Sequence, residues 1–413
     1  MENVWSKFYK AIKWNTAEAL LYQASLSIHN LALFWVIGKE KFGLVGTVFS
    51  IIFLLIPILN LGFDKAMIAN YSELTNSKEA FKKYFLGQLF FQLLSLPIAF
   101  FLVFSGQEIL SFILCNPINC LSFPKSIWFV AATTVVAEGL KKSLKVFLQL
   151  SFLNRYSSIL EISTLWAYIS TVWILNFTVG FSFWNIFLPF LIQSVFSLIV
   201  LSFAVFKIFK GLKSTSNFQI SILEIVHLRI STFFLQASGL TFSGNFLIPL
   251  LAYRFGLSIA AYLKLFSYIG GAILSLSEKI FGVTSGALFS GLKSNLQRKE
   301  ALEKIQKRFG PILAAIICLI IISYFFGQKV YGASFLFLLA LILENFYVVY
   351  EKYFLVEKMV SLIFMINLVS AILFFAFSFK IDLVQTLIIL ILIRLTAFVI
   401  TTRLIRITQK IAK

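Results

Sequence analysis

Long apolar stretches alternate with short polar segments along almost the whole chain. Each of twelve such stretches is long enough for a membrane-spanning helix, which needs about 20 apolar residues. The predicted spans are 16–37, 43–63, 84–104, 126–148, 157–178, 184–206, 231–251, 257–279, 310–327, 333–350, 359–379 and 383–401. Apolar and polar residues do not alternate with the two-residue period of barrel strands. The pattern therefore predicts an all-α polytopic membrane protein with twelve transmembrane helices.

The composition excludes a soluble globular fold and leaves little room for catalysis. Of the 413 residues, 60% are hydrophobic and 13% are charged, whereas soluble domains have about 25% charged residues. The connections between the predicted spans are too short for a soluble catalytic domain. Two histidines, His29 and His227, and few aspartates do not supply a metal cluster. We predict no enzymatic activity, no cofactor and no bound metal.

The basic residues predict how the chain lies in the membrane. There are 36 Lys and Arg, and the net charge is +19. Most of them fall in segments on the same side as the N-terminus, and cytoplasmic loops are richer in Lys and Arg than outer loops. We expect both termini in the cytoplasm. The charge is then explained by basic loops facing anionic membrane lipids, and no nucleic-acid partner is needed.

Two short motifs recur at the same interval along the chain. Gln23-Ala24-Ser25 returns as Gln236-Ala237-Ser238, and Lys41-Phe42-Gly43-Leu44 returns as Arg254-Phe255-Gly256-Leu257. Six predicted spans separate the copies, so both copies have the same orientation, as in parallel repeats related by an axis along the membrane normal. The repeat predicts two six-helix bundles around a central cavity. Their predicted limits are 1–206 for the first half, 207–219 for a cytoplasmic linker and 220–413 for the second half.

A family resemblance rests on motifs in both halves. Lys39-Glu40-Lys41-Phe42-Gly43-Leu44 follows the first span, and Asn60-Leu61-Gly62-Phe63-Asp64 closes the second. In the second half, a similar pattern is the largely apolar run 245–252, which is followed by Phe255-Gly256. With these motifs the chain resembles the polysaccharide-biosynthesis membrane proteins, which are O-antigen and capsule flippases of the multidrug/oligosaccharidyl-lipid/polysaccharide exporter superfamily.

The resemblance implies a MATE-like fold and a function. Two V-shaped bundles would alternate access for a polyprenyl-pyrophosphate-linked oligosaccharide in a bacterial inner membrane. The implied partners are this lipid-linked oligosaccharide, membrane lipids, and a polysaccharide polymerase and chain-length proteins of the same assembly pathway.

Charges on the fourth span need an explanation, because a charge at bilayer depth costs about 2.5–3.5 kcal/mol. Glu138, Lys141, Lys142 and Lys145 share one helical face. One interpretation is an intrahelical Glu–Lys pair with the outer lysines extending to the membrane surface. The other is a cationic stripe on the cavity wall, and we predict that Glu138, Lys141 and Lys142 bind substrate.

Other charges lie deep in the spans of the second half. Lys264 has no acid nearby in sequence, so we predict that it faces the cavity and binds substrate. Glu344 and Arg394 fall near mid-depth in the tenth and twelfth spans. They fit either a buried structural ion pair or a gate or proton-linked switch, and we assign them to gating or ion coupling.

The first span has a polar stripe of Gln23, Ser27 and Asn30. Such stripes either join membrane helices by hydrogen bonds or line a water-filled cavity. We assign Gln23 and Asn30 to substrate binding. His29, beside the stripe, is assigned to gating or ion coupling because histidine titrates near neutral pH, and His227 is expected at the surface.

Three other functions stay open. A peptidoglycan-precursor flippase would be close in mechanism, but such flippases usually have more than twelve spans. A cation-coupled multidrug exporter would share the layout, with Glu344 as its membrane acid. A membrane glycosyltransferase or polymerase would need a large outer loop with an acid and a base, whereas the longest predicted outer loop, 105–125, has only Glu108 as an acid. Cys115 and Cys120 in this loop form either a disulfide, if the loop is extracytoplasmic, or two free thiols.

Overall fold

The computed structural model describes residues 2–60, 62–74, 125–150, 152–211, 222–277, 285–292, 294–326, 329–378 and 381–411, with isolated residues between 82 and 101. The regular structure of these residues is helical. Cys115, Cys120 and most of the predicted third span and linker lie outside the described residues.

The helices are numbered here in chain order over the described residues. They are α1 (Glu2–Ile37), α2 (Lys39–Leu59), α3 (Phe63–Leu74), α4 (Lys125–Leu150), α5 (Asn154–Val179), α6 (Trp184–Gly211), α7 (Ile222–Leu240), α8 (Gly244–Phe255), α9 (Leu257–Ile269), α10 (Gly271–Ser277), α11 (Ser285–Gly291), α12 (Asn295–Phe326), α13 (Lys329–Val356), α14 (Val360–Ser378) and α15 (Leu383–Ile411). Seven of these helices are long and apolar enough to cross a membrane, and α7 with α8 forms an eighth span if the bent pair is one span.

The surface of these helices suits a lipid environment. Large apolar side chains such as Ile28, Trp35, Phe177 and Phe203 are at least 70% exposed. In water such a surface would promote aggregation, whereas lipid solvates it without cost. The chain is therefore a multi-pass membrane protein.

The first helix is longer than its predicted span. α1 has 36 residues, so its amphipathic N-terminal part continues the span without a break. The Arg155 guanidinium lies 5.4 Å from the Trp14 ring centroid, and Asn154 Nδ2 donates a hydrogen bond to Asn15 Oδ1 at 2.9 Å. These contacts attach the extended end of α1 to the start of α5.

The seventh and eighth predicted spans are not straight single helices. Residues 231–251 are divided between α7 and α8, which meet at an angle of 47°. Ser243 caps α8, because its Oγ accepts a hydrogen bond from the Phe246 N–H at 3.3 Å. Residues 257–279 begin as α9, which ends before Gly270, and continue as α10. The short buried α11 was not predicted.

The buried apolar side chains form two clusters. One is built mainly from the first half, near the α1–α2 junction, the start of α4 and the α5–α6 junction, and includes Ala261 and Leu265 from α9. We call this end of the helices the upper end. The other cluster joins both halves, and its first-half members come from the opposite end of the helices, such as Phe63, Phe147 and Leu201. We call this the lower end, because it also carries the N-terminus of α1. The two halves therefore share one apolar core at the lower end.

Candidate functional site

The charges of α4 lie in a buried network with α1 and α5. Lys141 Nζ is 2.8 Å from Glu138 Oε1 and 3.5 Å from Glu161 Oε1. Lys145 Nζ is 3.1 Å from Glu161 Oε1 and 3.3 Å from Glu18 Oε1. We call Glu18, Glu138, Lys141, Lys145 and Glu161 the N-terminal ion network. Its lysines are surrounded by carboxylates from three helices.

Hydroxyl groups complete the coordination of two of these carboxylates. Ser158 Oγ donates to Glu18 Oε2 at 2.6 Å, and Ser194 Oγ donates to Glu138 Oε1 at 2.6 Å. The named members of the network are three carboxylic acids and two lysines, and two of the acids also accept hydrogen bonds from serine hydroxyls.

The network can be compared with the two interpretations of the charges on the fourth span, an intrahelical Glu–Lys pair and a cationic stripe. The intrahelical pair of Glu138 and Lys141 is present. A net positive stripe is not formed by Lys141 and Lys145, since each contacts two carboxylates. Lys142, on a neighbouring face, is half-buried. Substrate binding by Glu138, Lys141 and Lys142 stays a prediction.

Lys264 lies where the two halves meet. It is 5% exposed and projects from α9 towards α2, where its Nζ donates to Ser50 Oγ at 2.9 Å. The ammonium group also lies 5.2 Å from the Tyr268 ring centroid. Among the described residues, no carboxylate lies within ion-pair distance of it. Lys264 is thus a buried cation between the halves that polar neutral groups surround.

Small residues allow α2 to approach α9 closely. A Cβ at Gly46 would lie 3.0 Å from Lys264 Cγ, and a Cβ at Gly43 would overlap the Leu257 carbonyl oxygen and contact Ala261. In the first copy of the repeated motif, Gly43 therefore has a packing role, because it lets α2 approach the second half. We call the contact of Gly43, Gly46 and Ser50 of α2 with Leu257, Ala261 and Lys264 of α9 the upper contact.

The polar stripe of α1 also reaches the second half. Ser27 Oγ donates to the Tyr268 carbonyl oxygen and is 2.6 Å from the Gln23 carbonyl oxygen. Gln23 packs on α10, where a Cβ at Gly271 would overlap Gln23 Oε1. In this structure the stripe joins helices of the two halves, which is one of the two roles expected for it.

Two further residues of α1, Asn30 and His29, contact groups of their own half. Asn30 Nδ2 donates to the Leu26 carbonyl oxygen at 2.8 Å within the helix. His29 is buried, with its ring edge-on to Tyr168 at 5.6 Å and to Trp173 at 5.9 Å between centroids. Neither His29 ring nitrogen has a hydrogen-bond partner among the described residues. Their assigned roles in substrate binding and ion coupling stay predictions.

Glu344 and Arg394 form the buried ion pair that was one of their two interpretations. Arg394 Nε donates to Glu344 Oε2 at 2.5 Å, and Nη1 donates to Asn367 Oδ1 at 3.2 Å. The guanidinium lies 3.7 Å from the Phe242 ring centroid and 4.5 Å from that of Tyr347. Phe242 belongs to the break between α7 and α8, so the bent span contacts the Arg394 guanidinium at this break.

Sequence reasoning missed an ion pair between the halves. Lys65 of α3 and Glu351 of α13 are both buried, and Lys65 Nζ is 2.7 Å from Glu351 Oε1. Both residues lie just beyond the end of a predicted span on the cytoplasmic side, which was the available signal. Glu161 is a similar case, because an acidic residue inside the fifth predicted span also needs a partner.

The remaining predictions concern His227 and metal binding. His227 is exposed, as expected. Within the described ranges, no group of three His, Cys, Asp or Glu side chains is arranged to hold a metal ion.

Solved structures share this architecture along nearly the whole chain. The eukaryotic MATE transporter AtDTX14 matches with a TM-score of 0.67 and 15% identity over 98% of this chain and 96% of its own. An outward-facing multidrug resistance MATE family transporter matches with a TM-score of 0.64 and 13% identity over 96% and 95%. A mutant of the Vibrio cholerae MATE transporter VcmN matches with a TM-score of 0.60 and 12% identity over 98% of both chains.

These likenesses show the fold. No family model and no curated protein matches the chain. The prediction of an all-α, MATE-like membrane fold is confirmed. At this level of identity the choice of cargo has to be argued from the residues of the chain itself.

Proposed function

We propose that this protein is an alternating-access transporter that moves a polyprenyl-pyrophosphate-linked oligosaccharide across a bacterial inner membrane. The halves 1–206 and 220–413 would rock against each other and open the space between α1, α2, α9 and α10 to each face in turn. This proposal is supported by the MATE-like fold and by the polar and small residues that line the contact between the halves.

The transport step breaks no bond. A pyrophosphate and its glycan cannot cross hydrocarbon, because each buried charge and each unpaired hydroxyl is penalised. The polyprenyl tail can stay in the lipid, so the protein has to supply only a wet groove with a cation. An interior-negative potential favours outward movement of two negative charges by about 2.3 kcal/mol each per 100 mV.

The observation that carries the proposal is the position of Lys264. It is a buried ammonium group between the halves that no described carboxylate neutralises. When the halves separate, the group would face the opened crevice and could pair with a pyrophosphate. Gln23, which lies at the same contact, would hydrogen-bond the headgroup or glycan. Lys142 would assist capture near the cytoplasmic mouth.

The test is complementation of a bacterial strain that lacks its own O-antigen or capsule flippase. We expect the wild-type chain to restore surface polysaccharide. Lys264→Met should reduce it at least tenfold, which corresponds to about 1.4 kcal/mol, whereas Lys264→Arg should keep most of it because the charge remains. Ser50→Ala, which removes the hydrogen-bond partner but not the cation, is the matched control.

Two results would oppose the assignment. Full surface polysaccharide with Lys264→Met, at equal amounts of protein in the membrane, would remove Lys264 from substrate binding. Failure of the wild-type chain with several different glycans would count against the oligosaccharide cargo itself.

A second candidate is a cation-coupled multidrug exporter. The N-terminal ion network favours it, because three carboxylates from α1, α4 and α5 lie together inside the helical bundle, where one of them could take up a proton or another cation. Such an exporter would lower ethidium accumulation in cells and would lose this activity with Glu18→Gln. The oligosaccharide transporter would leave ethidium accumulation unchanged.

A further inference from the structure

The two halves also meet at the lower end, and this contact differs in chemistry from the upper one. A Cβ at Gly62, whose φ is +74°, would overlap the Thr232 hydroxyl of α7. Ser290 Oγ of α11 donates to the Ile68 carbonyl oxygen at 2.8 Å. The Arg229 guanidinium lies 5.5 Å from the Phe63 ring centroid. We call these residues the lower contact.

A salt bridge crosses the lower contact. Lys65 of the first half pairs with Glu351 of the second at 2.7 Å, and their side chains are 10% and 7% exposed. The pairs Lys141–Glu138, Arg298–Glu357 and Arg394–Glu344 each stay within one half. Lys65 and Glu351 therefore separate when the halves part at this end, whereas those other pairs can move as units.

We propose that Lys65 and Glu351 form a latch that holds the lower end of the interface closed and that has to break whenever the transporter opens to that face. The pair is buried only while the halves are in contact. In the closed state each charge neutralises the other, and in the open state water would solvate both.

The latch influences the ratio of the states that are closed and open at the lower end, because removing one partner changes the free energies of these two states unequally. In the closed state Glu351→Gln would leave the Lys65 ammonium buried without its carboxylate, which is costly. In the open state the same ammonium would be hydrated, and the substitution would cost little. Glu351→Gln should therefore shift the protein towards the state that is open at the lower end.

Glu351 lies close to a second buried ion pair of the same half, the Glu344–Arg394 pair. A Cβ at Gly239 would lie 3.7 Å from both Glu351 Oε2 and Asn367 Nδ2. Asn367 in turn accepts a hydrogen bond from Arg394. The latch therefore adjoins the Glu344–Arg394 pair without sharing its hydrogen bonds, so that pair can persist when the latch opens.

The experiment measures access to the lower contact directly and needs no cargo. The reporter is Ser290→Cys in a background in which the three native cysteines are replaced by serine. A membrane-impermeant maleimide is added to inside-out and right-side-out vesicles, so that the labelled face is itself determined. We expect Lys65→Met and Glu351→Gln each to raise the labelling rate about tenfold from one face only.

The matched control breaks a comparable pair within one half. Arg298 and Glu357 are 3.2 Å apart with side chains 12% and 10% exposed, so Glu357→Gln should leave the rate within about twofold. The exchange Lys65→Glu with Glu351→Lys should return the rate towards that of the wild type. A wild-type rate in both single variants, or an equal rise in the control, would overturn the latch.

A cross-link keeps the test decisive if a charge variant is poorly folded. Lys65→Cys with Glu351→Cys should be joined in the closed state by a short bis-methanethiosulfonate reagent, which replaces the length lost with the two long side chains and is released on reduction. The cross-linked protein should label at Ser290→Cys at least tenfold more slowly than its reduced form. Equal labelling before and after reduction would show that separation at this position is not required for opening.

Discussion

At the scale of residues, removing a lysine from the N-terminal ion network should destabilise the protein more than removing a carboxylate. Lys145→Met would leave three carboxylates with one lysine in a buried site, and such an uncompensated charge costs about 3 kcal/mol of stability or more. Glu161→Gln would leave Lys141 with Glu138 and Lys145 with Glu18. We expect this second variant to lose less than about 1 kcal/mol.

Thermal unfolding of the two purified variants in the same detergent measures this difference. A larger loss of stability with Glu161→Gln than with Lys145→Met would contradict this prediction.

The sequence could reveal only part of this network. Glu138 and Lys141 are one helical turn apart, so their pairing follows from the helix geometry. Glu18 and Glu161 lie on α1 and α5, and nothing in the sequence indicates that these helices direct their acids at α4. Lys65 and Glu351 were hidden for a different reason, because residues just outside a span are usually taken to be solvated.

At the scale of elements, the close packing of α2 on α9 predicts a strong effect of one methyl group. Gly43→Ala would place its Cβ against the Leu257 carbonyl oxygen, which is backbone and cannot rotate away. Overpacking of this kind costs about 2 kcal/mol, and it acts only while the upper contact is closed. We expect the variant to favour the state that is open at the upper end.

Spin labels at Lys39→Cys and Tyr253→Cys, which are both exposed, should report this opening as a longer distance between the labels. Gly239→Ala adds the same methyl where it would lie 3.7 Å from its nearest side-chain atoms. It should leave the distance unchanged. An unchanged distance in Gly43→Ala as well would mean that the upper contact does not limit opening.

Hydropathy predicted the long lipid-facing helices better than the buried ones. α5 and α6 match the predicted spans because most residues of each helix are apolar and more than half of each span faces lipid. The break before α10 lies at a closely packed position, which hydropathy does not detect. A Cβ at Gly270 would lie 2.7 Å from the Leu338 side chain of α13, so a neighbour distant in sequence restricts which side chain fits there.

At the scale of the whole molecule, the two halves are joined unequally at their two ends. Among the described residues, the buried members that the second half contributes to the cluster at the upper end are Ala261 and Leu265. The cluster at the lower end combines buried side chains of both halves. The repeat and the span count predicted two halves, but which end has the larger shared core depends on packing that no local pattern encodes.

This asymmetry leads to a prediction for the molecule as a whole. In alternating access, the state open at the lower end keeps the upper contact, and the state open at the upper end keeps the lower contact. Gly43→Ala should disfavour the first state and Glu351→Gln the second. The two substitutions therefore act in opposite directions on the ratio of the two open states, and the double variant should return this ratio towards the wild-type value.

The ratio can be measured with one pair of spin labels at each end. Lys39→Cys with Tyr253→Cys reports on the upper end, and Lys13→Cys with Glu300→Cys, which are also exposed, reports on the lower end. Each single variant should lengthen the distance at its own end and shorten the mean distance at the other. If both substitutions opened the same end, or if the double variant were more extreme than either single one, the halves would not rock as units about a shared centre.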